Sequence, residues 1–248
     1  MSPGEPLSRS VRPLARVDPA PTSCATCVGR ERNEWCALDR AELGLLDAAK
    51  LRYRYKAGDA IFYQGSACAG LHCIEEGTVA LRKSDPAGNA VIVRLVHPNE
   101  TLGARTLLGG GTYSSSAVAL TSARVCFVDR ATVIGLLDRS PALAKRFLRR
   151  MAEDLRAADD DKLETATLTV RARLERLLVA LSDRYGREGA GVEFTVELPV
   201  ARQDMAALLG VRPESIARTV RALERDGVAH FDGRQVRIPD IGRLTSQS

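Results

Sequence analysis

The sequence has no apolar run approaching the ~20 residues a helix needs to cross a bilayer. It also lacks the apolar stretch of a secretory signal, because residues 1–23 carry Arg9, Arg12 and Arg16 among proline and serine. Both absences argue for a cytoplasmic protein with no membrane partner. The three histidines, His72, His97 and His230, are too scattered to show metal-ligand spacing. Paired carboxylates, a nucleophile elbow and a phosphate-cradling glycine loop are missing, so no motif supports an enzyme.

What is present bounds the size and the class of the protein. At 248 residues, 45% hydrophobic and 27% charged, the chain is long enough for two small globular cores. The net charge of +5 is compatible with a polyanionic partner, but many enzymes share it and it decides nothing alone. Six cysteines in a reducing compartment point to metal, redox chemistry or packing, not to a disulfide framework.

The texture changes along the chain. Residues Asp39 to Lys50 read as a helix with Leu43 and Leu46 on one face. From Leu51 to about Val128 come short runs of Val, Ile, Leu and Tyr, punctuated by Gly58, Gly65, Gly70, Gly77, Gly88, Gly103 and Gly109 to Gly111. Such punctuation predicts an antiparallel barrel or jelly roll. Pro141 opens a helical stretch to about Thr165 in which Ala144, Leu148, Met151, Leu155 and Ala158 recur at alternating spacings of four and three. That is the seam of a two-stranded coiled coil; the spacing equally suits an amphipathic helix packed on its own domain. Another amphipathic helix is expected from Val170 to Tyr185, followed by glycine-containing loops.

The most informative segment is Arg202 to Leu223. A helix of small and apolar residues ends at Gly210, where the turn of a helix-turn-helix needs positive φ, and a second helix starts at Pro213, whose φ is pre-set for a first turn. Ala206 falls where the two helices approach most closely, and Met205, Leu209 and Ile216 are expected in the shared core. Thr219 stands where an aliphatic residue is usual. Val228 to Ile238, with a turn at Asp232 and Gly233, reads as a β-hairpin wing. Candidate DNA contacts are Arg202, Gln203, Arg212, Glu214, Ser215, Arg218 and Arg221. Arg bonds bidentately to guanine O6 and N7 and Glu accepts from cytosine N4, so Glu214 and Arg218 at i and i+4 can read adjacent base pairs. The alternative for that pair alone is a surface salt bridge.

These features resemble the CRP/FNR superfamily of transcription regulators, from about Cys24 to Ile238. The resemblance is carried by the glycine texture of Lys56–Gly65 (KAGDAIFYQG) and Leu71–Leu81 (LHCIEEGTVAL), and by Glu214 to Arg218 in the reading helix. It implies an α+β protein with a flexible tail and cysteine arm at 1–37 and an antiparallel β-roll sensor domain of the cyclic-nucleotide-binding type at 38–140. A dimerisation helix at 141–166 and a winged helix-turn-helix domain at 167–248 follow. It further implies a phosphate contact at Gln203, double-stranded DNA with an inverted repeat, a second copy of the chain and RNA polymerase as partners, and the seam from Ala144 to Ala158 as the subunit contact. The family's cyclic-nucleotide receptors place an Arg on the phosphate, whereas this chain has Tyr113–Ala117 (YSSSA) there, with Ser115 or a neighbour in the Arg position. No cyclic nucleotide is therefore expected.

Cys24 and Cys27 form a Cys-x2-Cys, Cys36 follows after eight residues, and Cys126 lies far downstream. The pattern by itself is shared by zinc sites, thiol oxidoreductases and iron-sulfur proteins. No βαβ pattern surrounds it, which disfavours a thiol-redox enzyme. The oxygen-responsive branch of the family, the fumarate and nitrate reduction regulators, holds a 4Fe-4S cluster with three arm cysteines and one on the β-roll. That resemblance implies Cys24, Cys27, Cys36 and Cys126 as ligands, with structural zinc or a Cys24/Cys27 dithiol switch as the alternatives. Cys73 reads as a core residue of a strand, and Cys68 has no assigned role.

Overall fold

The computed structural model describes residues 23–27, 29–188 and 193–245. The expected basic tail at 1–22 lies outside the described residues. The chain divides into two compact units, one of residues up to 79 with 96–143, the other of 80–95 with 144 onward.

The cysteine arm forms two 3-10 turns, Arg30–Arg32 and Glu34–Ala37, before helix α1 (Arg40–Ala49). Asp39 and Glu42 close a capping box at the start of α1: the Glu42 N–H donates to Asp39 at 2.8 Å and the Asp39 N–H to Glu42 at 2.9 Å. Leu43 and Leu46 are buried, as the helical spacing predicts. The strands of the β-roll follow: β1 (Leu51–Tyr55), β2 (Ala60–Phe62), β3 (Gly70–Glu76), β4 (Val79–Ser84), β5 (Ala90–Val96) and β6 (Thr101–Leu102). Helix α2 (Ala104–Gly109), β7 (Ser116–Ala119), β8 (Ala123–Asp129) and α3 (Arg130–Arg139) complete this stretch.

In the first unit one antiparallel sheet has the order β1-β8-β3-β6, and β2 pairs with β7. Period-two alternation divides β3 between two faces. His72 and Ile74 point to the roll interior, where His72 lies between the rings of Phe62 and Phe127, with centroids 5.4 and 5.0 Å away. Phe62 stacks on Tyr113 at 3.8 Å. His72 is buried, its Nδ1 has no partner among the described residues, and burial pushes its pKa down to about 4. Helices α1 and α3 contact β8, and α3 also contacts β3. Neither α2 nor α3 is picked out by the sequence: α2 is short and lies within the glycine-punctuated stretch, and in α3 apolar and polar residues are only weakly sorted onto opposite faces.

The second unit contains the β4–β5 hairpin, whose turn is closed by the Asn89 N–H donating to the Asp85 carboxylate at 2.9 Å. It continues with α4 (Pro141–Thr167), α5 (Val170–Tyr185), β9 (Gly186–Glu188) and β10 (Phe194–Glu197). Helices α6 (Arg202–Leu208) and α7 (Pro213–Arg225), strands β11 (His230–Asp232) and β12 (Gln235–Ile238), and α8 (Gly242–Thr245) close the fold. The sheet order is β11-β12-β10-β9, so the stretch after α5 supplies two strands and not only loops. The wing turn falls at Gly233 and Arg234, one residue later than the spacing predicts: Asp232 still pairs with Gln235, and Gly233 takes φ +59°. Among the described residues no helix is long and apolar enough to cross a membrane.

Candidate functional site

Two regions carry chemistry. The first is the cysteine arm and the strand face beneath it. The N–H of Cys24 donates to Asp47 on α1 at 2.7 Å, and the Ser23 hydroxyl donates to the same carboxylate. Lys50, the residue that ends α1, donates to Asp47 at 2.6 Å and to Cys24 Sγ at 3.5 Å. Further along the arm, buried Glu34 accepts from the buried Thr101 hydroxyl at 2.8 Å, and Asn33 donates from Nδ2 to Cys73 Sγ at 3.9 Å. Gly29 is required by close approach, since a Cβ there would fall 1.5 Å from the Asn99 side-chain oxygen. These contacts seat the arm over β3 and β6, and Cys126 is the register partner of Cys73 on the neighbouring strand β8.

Cys73 is consequently not the interior residue the sequence suggests. It shares the face of Leu71 and Glu75, opposite to His72 and Ile74, and lies half-buried beneath the arm. Cys126 donates to Glu75 Oε1 at 3.2 Å, and Arg52, opposite Cys126 on β1, pairs with Glu75 at 2.6 Å. Cys36 is half-buried on the second 3-10 turn, beside buried Trp35. Cys68 is buried and donates to the Gly70 carbonyl at 3.4 Å, a packing role. Neither Lys50, Glu75 nor Asn33 is marked out by sequence, because each meets the thiols only through folding.

All six cysteines are free thiols. Burial pushes the Cys24 thiol up to about 12, with Lys50 opposing and Asp47 adding to the rise. Burial also raises Cys73, with Cys27 and Glu34 adding to it, and Cys126, with Glu75 adding. Burial works against the Asp47 carboxylate, yet hydrogen bonds from Lys50, Ser23 and the Cys24 N–H hold it well below the usual range. Among the described residues no three His, Cys, Asp or Glu side chains gather closely enough for one metal ion. Thiols are the donors that an iron-sulfur cluster takes, and the cysteines here are free, with the Lys50 ammonium, paired to Asp47, also lying against Cys24.

The second region is the α6–turn–α7 unit. Gly210 takes φ +59° at the turn, and Met205, Ala206, Leu209 and Ile216 are buried in the shared core. Thr219 is accommodated because its hydroxyl donates to the Ser215 carbonyl at 2.8 Å. The unit is braced by Arg173, which donates to the Leu209 carbonyl at 2.5 Å, and by Asp204, which accepts the Ala201 N–H at 3.0 Å. Arg202, Gln203, Arg212, Glu214, Arg218 and Arg221 are exposed and Ser215 is half-buried. Among the described residues Glu214 and Arg218 form no ion pair with each other, so both heads are free.

Helix α4 carries the third feature. Phe147 is fully buried, whereas Leu148 and Leu155 are 67% and 65% exposed. Ala144 and Met151 are half-buried and Ala158 is exposed on the same seam. Leu163, 62% exposed, extends the stripe eight residues past Leu155, a spacing readable in the sequence.

Comparison with known proteins agrees with this architecture. Residues 52–140 match the cyclic nucleotide-binding domain model and residues 172–246 match the Crp-like helix-turn-helix domain model. The chain is 30% identical over 193 residues to the cyclic AMP receptor protein of Thermus thermophilus, covering 78% of this chain and 86% of that one. It belongs to the CRP/FNR family of transcription regulators. Within the family it is also similar to the transcriptional activator protein FnrL of Cereibacter sphaeroides, 28% identical over 230 residues and covering 91% of each. The structure of FixK2 from Bradyrhizobium japonicum superposes with a TM-score of 0.70 at 23% identity, over 79% of this chain and 96% of that one. CRP/FNR regulators bind DNA and act as dimers, and the α6–α7 unit is the DNA-binding element of this member. The family and its matching domains are those of regulators, not enzymes.

Proposed function

We propose that this CRP/FNR regulator is an oxygen- or redox-responsive one, acting in the cytoplasm as a homodimer on inverted-repeat DNA, with RNA polymerase as its onward partner. Cys24, Cys27, Cys36 and Cys126 are its ligands for a 4Fe-4S cluster. The observation that carries the reading is the seating of the arm: Cys24 is tied to α1 through Asp47 and Lys50, and the same arm lies over the β3–β8 face that bears Cys126. The likeness to FnrL over 91% of the chain supports the same branch.

Such a cluster supplies an oxygen-labile centre joining arm to strand. The chain's own residues do the rest. Asp47 and Lys50 orient Cys24, Glu75 holds the Cys126 thiol, and the raised thiols release protons when they become ligands, so uptake is favoured by rising pH. The exposed leucines of α4 bury against their copies in a second chain, setting one α7 from each subunit on DNA. A coupling of a few kcal/mol between the arm and the dimer suffices to switch populations.

Cyclic nucleotide is not the proposed signal, although one relative is named a cyclic AMP receptor. Tyr113 to Ala117 offer no cation to a cyclic phosphate, and Ser115 is itself buried. Anaerobic purification with iron and sulfide analysis tests the reading: about four irons per chain and broad visible absorbance that bleaches in air are expected, and iron-free protein after anaerobic reconstitution would overturn it.

A further inference from the structure

The β-roll sheet brings together two thiols from distant parts of the chain. Cys73 on β3 and Cys126 on β8 are direct register partners in an antiparallel pairing, so their side chains leave the sheet on the same face. Partners of this kind have Cα atoms about 4.5 or 5.5 Å apart, according to whether they exchange backbone hydrogen bonds. A disulfide spans about 4.4–6.8 Å between Cα atoms, so either position lies within its reach. The nearness is felt electrostatically, since Cys73 is among the groups that raise the Cys126 thiol. On its other side Cys73 faces Thr101 and Cys126 faces Arg52, so across the sheet each thiol meets the other. Both are half-buried and free.

We propose that Cys73 and Cys126 are a redox pair, closed to a cross-strand disulfide by a small-molecule disulfide such as oxidised glutathione and reopened by excess thiol. Disulfides in a reducing compartment are usually transient ones of this kind. The Cys126 sulfur, its proton passing to solvent, attacks one glutathione sulfur; the glutathione S–S bond breaks and the released thiolate takes up a proton. The Cys73 sulfur loses its proton and attacks the Cys126 sulfur, forming the protein S–S bond and releasing the second glutathione. The pair gives up two electrons, and the oxidant is reduced to two thiols. Burial raises both protein thiols, which slows the attack, so the position of equilibrium is the quantity to measure. The disulfide withdraws Cys126 from any ligand set, so an oxidised chain must be reduced before it can hold a cluster. That consequence rests on the cluster reading given above; the disulfide itself does not.

Peptide mapping tests the pair. Iron-free wild-type protein is equilibrated anaerobically at varied ratios of reduced to oxidised glutathione, quenched in acid, alkylated and digested with trypsin. Residues 57–82 then carry Cys68 and Cys73, and residues 125–130 carry Cys126. Toward the oxidising end the two peptides should appear joined, two hydrogens lighter than their sum, and dithiothreitol should separate them. C68S should keep the joined species and C73S should lose it. C68S leaves Cys73 as the one cysteine of its peptide, so the assignment does not depend on the folding of C73S. Unjoined Cys73 and Cys126 in excess oxidised glutathione, Cys126 joined to Cys24, Cys27 or Cys36, or a joined species that survives in C73S overturns the proposal. Iron takes no part in the measurement, so failure of the pair and failure of the cluster reading are told apart.

Discussion

Arg82 on β4 forms an ion pair with Asp204 on α6, joining residues 122 positions apart in the chain. The other oxygen of Asp204 accepts the Ala201 N–H at the start of α6, so one carboxylate both caps the first helix of the DNA-binding element and ties it to the β4–β5 hairpin of the same unit. The two roles separate by substitution. Arg82→Ala should cost about 0.5–1 kcal/mol, the value of a partly exposed pair, whereas Asp204→Ala should cost about 1–2 kcal/mol because the cap is lost as well. Chemical denaturation of both variants measures the difference, and equal losses would show that the cap contributes nothing.

The stripe on α4 makes a prediction about assembly. Leu155 is 65% exposed in the single chain, so placing a charge there leaves the β-roll core untouched. Leu155→Glu should sediment as a monomer with unchanged circular dichroism. A persistent dimer places the interface elsewhere.

The exposed heads of α7 make a prediction about sequence choice. A symmetric dimer with one reading helix per subunit should select half-sites centred about 10 bp apart. Arg218→Ala should cost about 1–3 kcal/mol at the cognate guanine and flatten the preference there. Gln203→Ala, at the start of α6, should weaken all sequences alike. Selection from a randomised half-site library checks both, and an unchanged guanine preference in Arg218→Ala would place the reading face elsewhere.

For the thiols, Cys24→Ser, Cys27→Ser and Cys126→Ser should each lose most of the iron taken up by anaerobic wild-type protein, while Cys68→Ser, a buried packing residue, should keep it. Full absorbance in Cys126→Ser would remove the strand from the ligand set.

His72 predicts a pH dependence. Its folded pKa of about 4 lies below the 6.5 of an ordinary histidine, because burial disfavours the cation. As pH falls below 6.5 the unfolded chain takes up the proton first, so this contribution to stability is complete above pH 6.5 and is lost as pH falls toward 4. The loss should reach about 2 kcal/mol by pH 5. His72→Phe, which keeps a ring between Phe62 and Phe127, should abolish this slope in denaturation measured at pH 7 and pH 5. An unchanged slope would assign it to other groups.

The sequence by itself determined the architecture and the reading helix. Gly210 and Pro213 punctuate the helix-turn-helix through constraints on φ that act within a few residues, and the four-three recurrence from Ala144 to Ala158 marks a seam, because helical periodicity is local too. The glycine spacing of the β-roll was legible for the same reason, though the short helix α2 and the strands β9 and β10 were not, being too brief to show a period, nor was α3, whose apolar and polar residues are only weakly sorted by face. Only the tertiary structure decided the surroundings of the thiols. Whether Cys73 faces the core or the arm depends on which side of a strand it falls, and a one-residue change of register reverses that side. Pairing with Cys126, 53 positions away, and the approach of Asn33 and Lys50 are set by how strands and arm pack, which no local pattern in the chain encodes.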